Sequence, residues 1–293
     1  MIAGVRSWLY VPGNRPELLA KAMAGAADAV VFDLEDAVPA AGKDAARASA
    51  LSAVDAEWPK PLWVRVNAAD SDLGRADLAA LAGRDVAGLR LPKAEEPGLV
   101  ADVAERVGLP LHVTIESALG VERAFLLATA HPLVTLLSLG EADLTADLRV
   151  RDRRALDWAR QRVVNASRAA GLAGPPHAVW TAVRDLPGLA ADTEAARDMG
   201  FFGRSVVHPS QAEVVNRVFT PAPEEVEQAR ALLDSLSAHS DRQVAAWLDE
   251  NGRFVDPAVA ASARWVVDLA DSTAADPTAP DPTAPDSGTD GSN

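Results

Sequence analysis

The chain has 293 residues, 48% of them hydrophobic, enough to bury a large core as one big domain or two ordinary ones. Its formal net charge of −14 at pH 7 argues against nucleic acid and anionic membrane surfaces as partners, yet leaves room for a phosphorylated ligand at a local basic patch. There is no cysteine, which removes disulfides, thiolate zinc sites and a Cys nucleophile and fits a reducing cytoplasm.

At the N-terminus, MIAGVRSWLYVPGN is interrupted by Arg6, Pro12, Gly13 and Asn14 and has no signal-peptide core. Nothing later reaches the roughly 18 apolar residues of a membrane span, so a soluble chain is expected. Short apolar runs then alternate with amphipathic stretches. Trp8–Val11 precedes a helical pattern over Pro16–Ala26, and Ala29–Leu34 precedes Lys43–Glu57. Leu62–Val66 and Gly88–Leu91 follow, the latter before a helix over Glu95–Val107. Leu111–Ile115 leads to Val121–Ala130, Leu133–Leu139 to Arg154–Ala170, and Ala178–Val183 to Leu189–Met199, before a last run, Ser205–Val207. Eight strands alternating with helices predict an α/β fold, a (β/α)8 TIM barrel rather than an open sheet, with strands apolar on both faces. Additional C-terminal helices are expected from about Ser210, over Pro223–Ser237 and over Asp241–Glu250, with Pro209 and Pro223 in first turns. The division expected is a barrel over 1–238, a helical lid or oligomer contact over 239–271, and a disordered acidic tail over 272–293, where DPTAP repeats without a basic residue.

In such a barrel the active site lies at the C-terminal ends of the strands. Asp33, Glu35 and Asp36 follow AVVF, Arg65 and Asn67 follow WV, Lys93 follows RLP, Glu116 follows HVTI and Asp143 follows LSLGEA. An acid or arginine closing an apolar strand is costly to bury and is rarely there for packing. The histidines show no HExxH or i,i+4 pair. Oxygen ligands without soft donors favour Mg2+, or Mn2+, held by Glu116 and Asp143 with positions left for water and substrate oxygens. Such a site suits a 2-oxo or 2-hydroxy acid, with Arg65 clamping an anionic group. Glu35 and Asp36 could orient Arg65, Lys43 or metal-bound water, or could simply complement a helix N-terminus. His208 reads either as active-site furniture or as a hydrogen-bonded strand-end residue. No GxSxG, P-loop or GxGxxG is present.

The segments RSWLYVPGN, AVVFDLEDAV, Lys43–Arg47, VRVN, LPKAE, TIESALGV, LGEADLTADL, GFFGRSVVHPSQ and GRFVDPAV together resemble the citrate lyase beta-subunit (CitE-like) branch of the HpcH/HpaI aldolase family, over residues about 5 to 270. The resemblance implies a (β/α)8 barrel, homotrimeric or hexameric, using Mg2+ to cleave or form the carbon–carbon bond of a 3-hydroxyacyl thioester. A malyl-, citramalyl- or related CoA thioester and a small 2-oxo acid are the implied partners. Glu116 and Asp143 would bind the metal and Arg65 the oxo-acid carboxylate, with Asp36, Lys93 and Glu116 contacting substrate. Asp256 would match an aspartate delivered near the thioester by a neighbouring subunit, although before Pro257 it could equally be an N-cap. Two departures stand near the metal face: His177 where relatives often have aspartate, and LRVRD in place of a more usual glycine. Two rival readings remain: a malate-synthase-like or acyl-CoA thioesterase activity needing Asp256, and a noncatalytic subunit of a lyase complex.

Overall fold

The computed structural model describes residues 4–240, 247–248 and 254–274. The chain divides into two compact units, Met1–Phe219 and Thr220–Asn293. The first unit runs β1 (Ser7–Pro12), α1 (Leu19–Ala24), β2 (Ala29–Asp33), α2 (Lys43–Val54), β3 (Leu62–Arg65), α3 (Asp72–Leu81), β4 (Gly88–Leu91) and α4 (Pro97–Val107). It continues with β5 (Leu111–Ile115), α5 (Ala118–Glu122), α6 (Ala124–Ala128), β6 (Val134–Leu139), α7 (Glu141–Leu148), α8 (Asp157–Ala169), α9 (Leu186–Asp198), β7 (Arg204–Val206) and α10 (Pro209–Phe219). The strands form one parallel sheet in the order β6-β5-β4-β3-β2-β1-β7. Adjacent parallel strands need a crossover, and the intervening helices supply it.

The helices form for local reasons. Pro97 occupies the first turn of α4, and Gly108, at φ 66°, takes the left-handed position that ends it. Val100, Val103, Ala104 and Val107 lie on one face and are buried, and each buried valine contributes roughly 1.5–3 kcal/mol. Ser71 caps α3, its hydroxyl accepting from Gly74 N at 2.9 Å.

Side chains alternate across each strand. One face carries Leu9, Val11, Val30, Phe32, Val64 and Val113 into the main core. The other carries a separate apolar cluster near the strands' N-terminal ends: Trp8, Ala29, Val31, Trp63 and Leu136. Trp8 meets Trp63 and His112 edge-on, at centroid distances of 5.5 and 5.4 Å, and the Trp63 ring covers Gly88, where a Cβ would stand 2.3 Å from it. Burial holds His112 well below its ordinary pKa and therefore neutral. Further along the same face come Tyr10, Arg90, Thr114, Ser138 and Ser205, and finally Asp33 and Arg65. The expectation of strands apolar on both faces therefore fails: this face grades from apolar to hydroxyl-bearing to charged towards the C-terminal ends.

Arg90 also shows how far the sheet curls. Its guanidinium donates to Thr114 of β5 at 3.2 Å, Ser138 of β6 at 3.0 Å and Ser205 of β7 at 3.1 Å. The strands β6 and β7 are the two edges of the sheet, which if flat would lie roughly 29 Å apart at ~4.8 Å per strand. One side chain touches both, so the sheet wraps round it.

The strand expected over Ala178–Val183 is absent. In its place His177 makes an isolated parallel bridge to Arg204, with His177 N donating to Gly203 O at 2.9 Å and Ser205 N to His177 O at 3.0 Å. Pro175 and Pro176 lack N–H donors and cannot extend the ladder, so the pairing shrinks to one residue. The helix expected over Val121–Ala130 is broken into α5 and α6, while α3 and α7 lie where no helix was expected.

In the second unit, α11 (Pro223–Ser240) is followed by β8 (Trp247–Leu248), which pairs antiparallel with β9 (Phe254–Val255), and then by α12 (Pro257–Ala274). Trp247–Leu248 is thus strand, not the helix expected over Asp241–Glu250, whose other residues lie outside the described set. Helix α12 runs through Ala274, so Ser272–Ala274 are helical; the rest of the expected disordered tail, 275–293, lies outside the described residues. Among the described residues no helix is long and apolar enough to cross a membrane.

Candidate active site

The C-terminal ends of β2 and β3 bring Asp33 and Arg65 into register as neighbours. Arg65 Nε and Nη2 donate in parallel to Asp33 Oδ1 and Oδ2, both at 2.7 Å. Asp33 is fully buried and also accepts from Glu35 N at 2.9 Å and Ala37 N at 3.1 Å, which shapes the turn that follows. The other end of the Arg65 fork faces Glu35 Oε2 at 2.9 Å and Asp36 Oδ2 at 3.3 Å. Glu35 in turn meets Lys93 Nζ at 2.7 Å. Burial opposes the Arg65 charge, but the Asp33 hydrogen bonds together with the Tyr10, Asp33 and Glu35 charges outweigh it and hold its pKa above the ordinary value. Its side edge is spent on Asp33, so an incoming carboxylate meets the Nη1/Nη2 end that Glu35 and Asp36 now share. The Tyr10 ring underlies both Arg65, at 4.9 Å, and Arg90, at 5.2 Å.

Lys43 does not reach the carboxylates. Its Nζ donates to the carbonyls of Leu34, at 2.8 Å, and Glu35, at 2.6 Å, pinning the backbone of the acidic turn. Arg47 instead holds buried Asp77 at 2.6 Å, and Asp77 accepts from Asn67 N and Nδ2 at 2.9 and 2.7 Å, fixing the loop after Arg65.

Glu116 is the residue after β5, 6% exposed, and its Oε2 accepts from Lys93 N at 3.2 Å. Lys93 has φ 54°, a left-handed backbone that costs a non-glycine residue of order 1 kcal/mol and turns its N–H to the carboxylate. Gly140 packs against Glu116 so closely that a Cβ there would lie 2.5 Å from Glu116 Cγ. Asp143 is not at a strand end, as expected, but in the first turn of α7 beyond β6, and it is exposed. Burial first, then the charges of Glu35 and Asp143, push the Glu116 carboxyl up to about 8. Among the described residues no group of three His, Cys, Asp or Glu side chains is placed to hold a metal ion. What the structure supplies is a pair: a buried carboxylate without a side-chain cation on it, and an exposed one beside it. That donor set fits Mg2+, which takes one or two carboxylates and keeps other positions for water and substrate oxygens.

A second polar cluster stands behind α7. Glu141 accepts from Arg160 Nε at 2.8 Å and Nη2 at 2.7 Å, with His177 Nε2 3.0 Å from its Oε1. Arg153 Nη2 lies 3.4 Å away, and Arg153 Nη1 reaches Asp192 at 3.0 Å, which Arg204 holds at 2.6 Å. Burial opposes the Glu141 charge, but His177 and Arg160 outweigh it and hold the carboxyl far below the usual range. Of this cluster only His177 was singled out from the sequence, as a departure near the metal face, and Tyr10 and Arg90 were not. Arg90 carried the signal that marked Arg65, a charge inside an apolar strand. His208 Nδ1 lies 2.8 Å from Ser210 Oγ, in agreement with the hydrogen-bonded reading. In the second unit, Asp256 Oδ1 accepts from Ala258 N at 2.9 Å and Val259 N at 3.0 Å, the N-cap geometry for α12.

A parallel α/β sheet with carboxylates, an arginine and a lysine at its C-terminal rim has the donors to take a divalent cation and a small anion. The family model described as HpcH/HpaI aldolase/citrate lyase matches residues 6–209, and the chain belongs to that family of carbon–carbon lyases. It is 38% identical to a (3S)-malyl-CoA thioesterase of Cereibacter sphaeroides (strain ATCC 17029 / ATH 2.4.9), covering 92% of this chain and 96% of that protein. To the citrate lyase subunit beta of Leuconostoc mesenteroides subsp. cremoris it is 33% identical, covering 91% and 93%. The fold matches the crystal structure of CitE from Mycobacterium tuberculosis in complex with magnesium, acetoacetate and coenzyme A, with TM-score 0.80, 32% identity and coverage of 92% and 100%.

Proposed function

We propose that this chain is a Mg2+-dependent lyase that cleaves, or forms, a 3-hydroxy-dicarboxylyl CoA thioester such as a malyl- or citramalyl-CoA. The observation that carries the reading is the buried Glu116 beside exposed Asp143, facing the Arg65–Lys93 end of the acidic rim. We read the His177 bridge as the reduced seventh strand of a (β/α)8 barrel, which sets these residues round one mouth. Glu116 and Asp143 would hold the metal. When bound, Mg2+ would supply Lewis-acid stabilisation of negative charge on the oxygens of the oxo-acid half.

The remaining work falls to side chains. Arg65, kept charged and oriented by Asp33, would receive the substrate carboxylate on its Nη1/Nη2 end, where it displaces the weaker Asp36 contact. Lys93 would hold Glu35 away from that anion. In cleavage the hydroxyl passes its proton to a water molecule and its oxygen forms the carbonyl of the 2-oxo acid as the carbon–carbon bond breaks, the electron pair of that bond passing into the thioester enolate. The enolate carbon then takes a proton, from Asp256 or from water.

The thioesterase named among the relatives favours a second reading, hydrolysis of the same class of thioester with Asp256 required. The test is release of 2-oxo acid from a panel of 3-hydroxyacyl-CoAs, with and without Mg2+. Glu116→Ala and Asp143→Ala should each lower turnover by at least about 10³-fold with the fold retained. Full activity in either variant, or in excess chelator, would refute the metal mechanism.

A further inference from the structure

Helix α7 presents Asp143 but has little of its own to fix where it points. It spans Glu141–Leu148 and starts at Gly140 without a side-chain cap. A helix of that length does not hold its own geometry, so its direction must come from tertiary anchors. Its buried residues are Glu141 and Leu144. No hydrogen bond or ion pair among the described residues involves the Asp143 carboxylate, so whatever fixes the first turn also aims Asp143. Residues two apart on a helix stand about 200° apart, so Glu141 anchors one side of the turn while Asp143 faces the other.

The anchor is unusually well made. Glu141 is gripped side-on by the Nε/Nη2 edge of Arg160 from α8, whose Nη1 holds Asp157, and His177 closes on the same carboxylate from the bridge beside β7. Buried, charge-assisted, bidentate contacts fix geometry as well as energy. We propose that Glu141, clamped by Arg160 and His177, is the positioning residue that aims Asp143 at the metal. The inference rests on the reading of Asp143 as a metal ligand.

The test separates positioning from mere stability. Mn2+ binding to the purified full-length protein is followed by electron paramagnetic resonance, the ion serving as a spectroscopic stand-in for Mg2+, and melting is followed in parallel. Glu141→Gln keeps the shape and loses the charge; Arg160→Lys keeps the charge and loses the fork, and decides the matter if the first variant does not fold. Both should weaken Mn2+ binding about tenfold. Asp192→Asn disrupts the far side of the cluster, at Arg204 and Arg153, and should lower the melting midpoint while leaving Mn2+ affinity within about twofold. Wild-type affinity in Glu141→Gln or Arg160→Lys, or an equal loss in Asp192→Asn, overturns the positioning role. Asp143→Ala is the separate control: if it binds Mn2+ as the wild type does, the metal reading itself fails.

Discussion

Glu116 is a carboxyl that burial biases towards its neutral form. With its folded pKa pushed up to about 8 from 4.5, by burial first and by Glu35 and Asp143 next, its contribution to stability is complete below about 4.5. That contribution is lost as the pH rises through about 8, where the metal-free protein must bury the charge. A tenfold difference in proton affinity between the folded and unfolded chain corresponds to ~1.4 kcal/mol, and each kcal/mol moves the melting midpoint of a domain this size by about 2–4 °C. Metal-free wild type should therefore melt progressively lower between pH 5 and about 8, and Glu116→Gln, which cannot ionise, should overtake it by at least about 2 °C at pH 8. Added Mg2+ should reverse the order, raising the wild type and leaving the variant where it was. A wild-type midpoint as insensitive to pH as that of the variant would show that Glu116 is not a buried titrating group. The neighbouring Arg65 makes the contrasting case: its charge is paired on one edge by Asp33 and at the other end by Glu35.

At the scale of elements, the site depends on how closely β6 passes β5. Gly140 N donates to Ile115 O at 2.8 Å, drawing the end of β6 against Glu116. Gly140 itself has φ −87°, which any residue can adopt, so glycine is needed there for space rather than for backbone freedom. Gly140→Ala should place a methyl 2.5 Å from Glu116 Cγ, push the carboxylate aside and weaken metal binding by about tenfold while the far-ultraviolet circular dichroism stays unchanged. Unaltered metal affinity would mean that Glu116 is not held where the chemistry needs it. The strands, and the placing of Arg65 and Glu116 at their ends, were legible because a charge closing an apolar run stands out locally. Helix α7 was not: GEADLTADL follows β6 without a break, so Asp143 read as strand-end rather than helical. Ala178–Val183 misled in the opposite direction, since AVWTAV has strand composition but no partner beyond the bridge at His177. The Glu141 cluster joins residues from 141 to 204 that only the curled sheet brings together, and no local pattern announces such a meeting.

For the molecule as a whole, the second unit brings a carboxylate of its own. Asp256 belongs to the second unit, where its carboxylate accepts two backbone N–H groups at the start of α12. That geometry explains the residue as a cap, yet a cap uses one carboxylate oxygen, here Oδ1, and among the described residues nothing donates to the other. Asp256→Asn separates the two roles, because asparagine caps a helix about as well as aspartate but cannot carry the charge or relay a proton. Helix content and melting should be unchanged. If the carboxylate serves as an acid or base, thioester hydrolysis should fall by about 10²-fold or more while reversible carbon–carbon cleavage persists, as followed by separate assays for free CoA and for 2-oxo acid. Equal hydrolysis by the variant and the wild type would leave Asp256 as a helix cap alone, with water as the proton donor to the enolate; a parallel loss of both activities would place the carboxylate in the cleavage step instead.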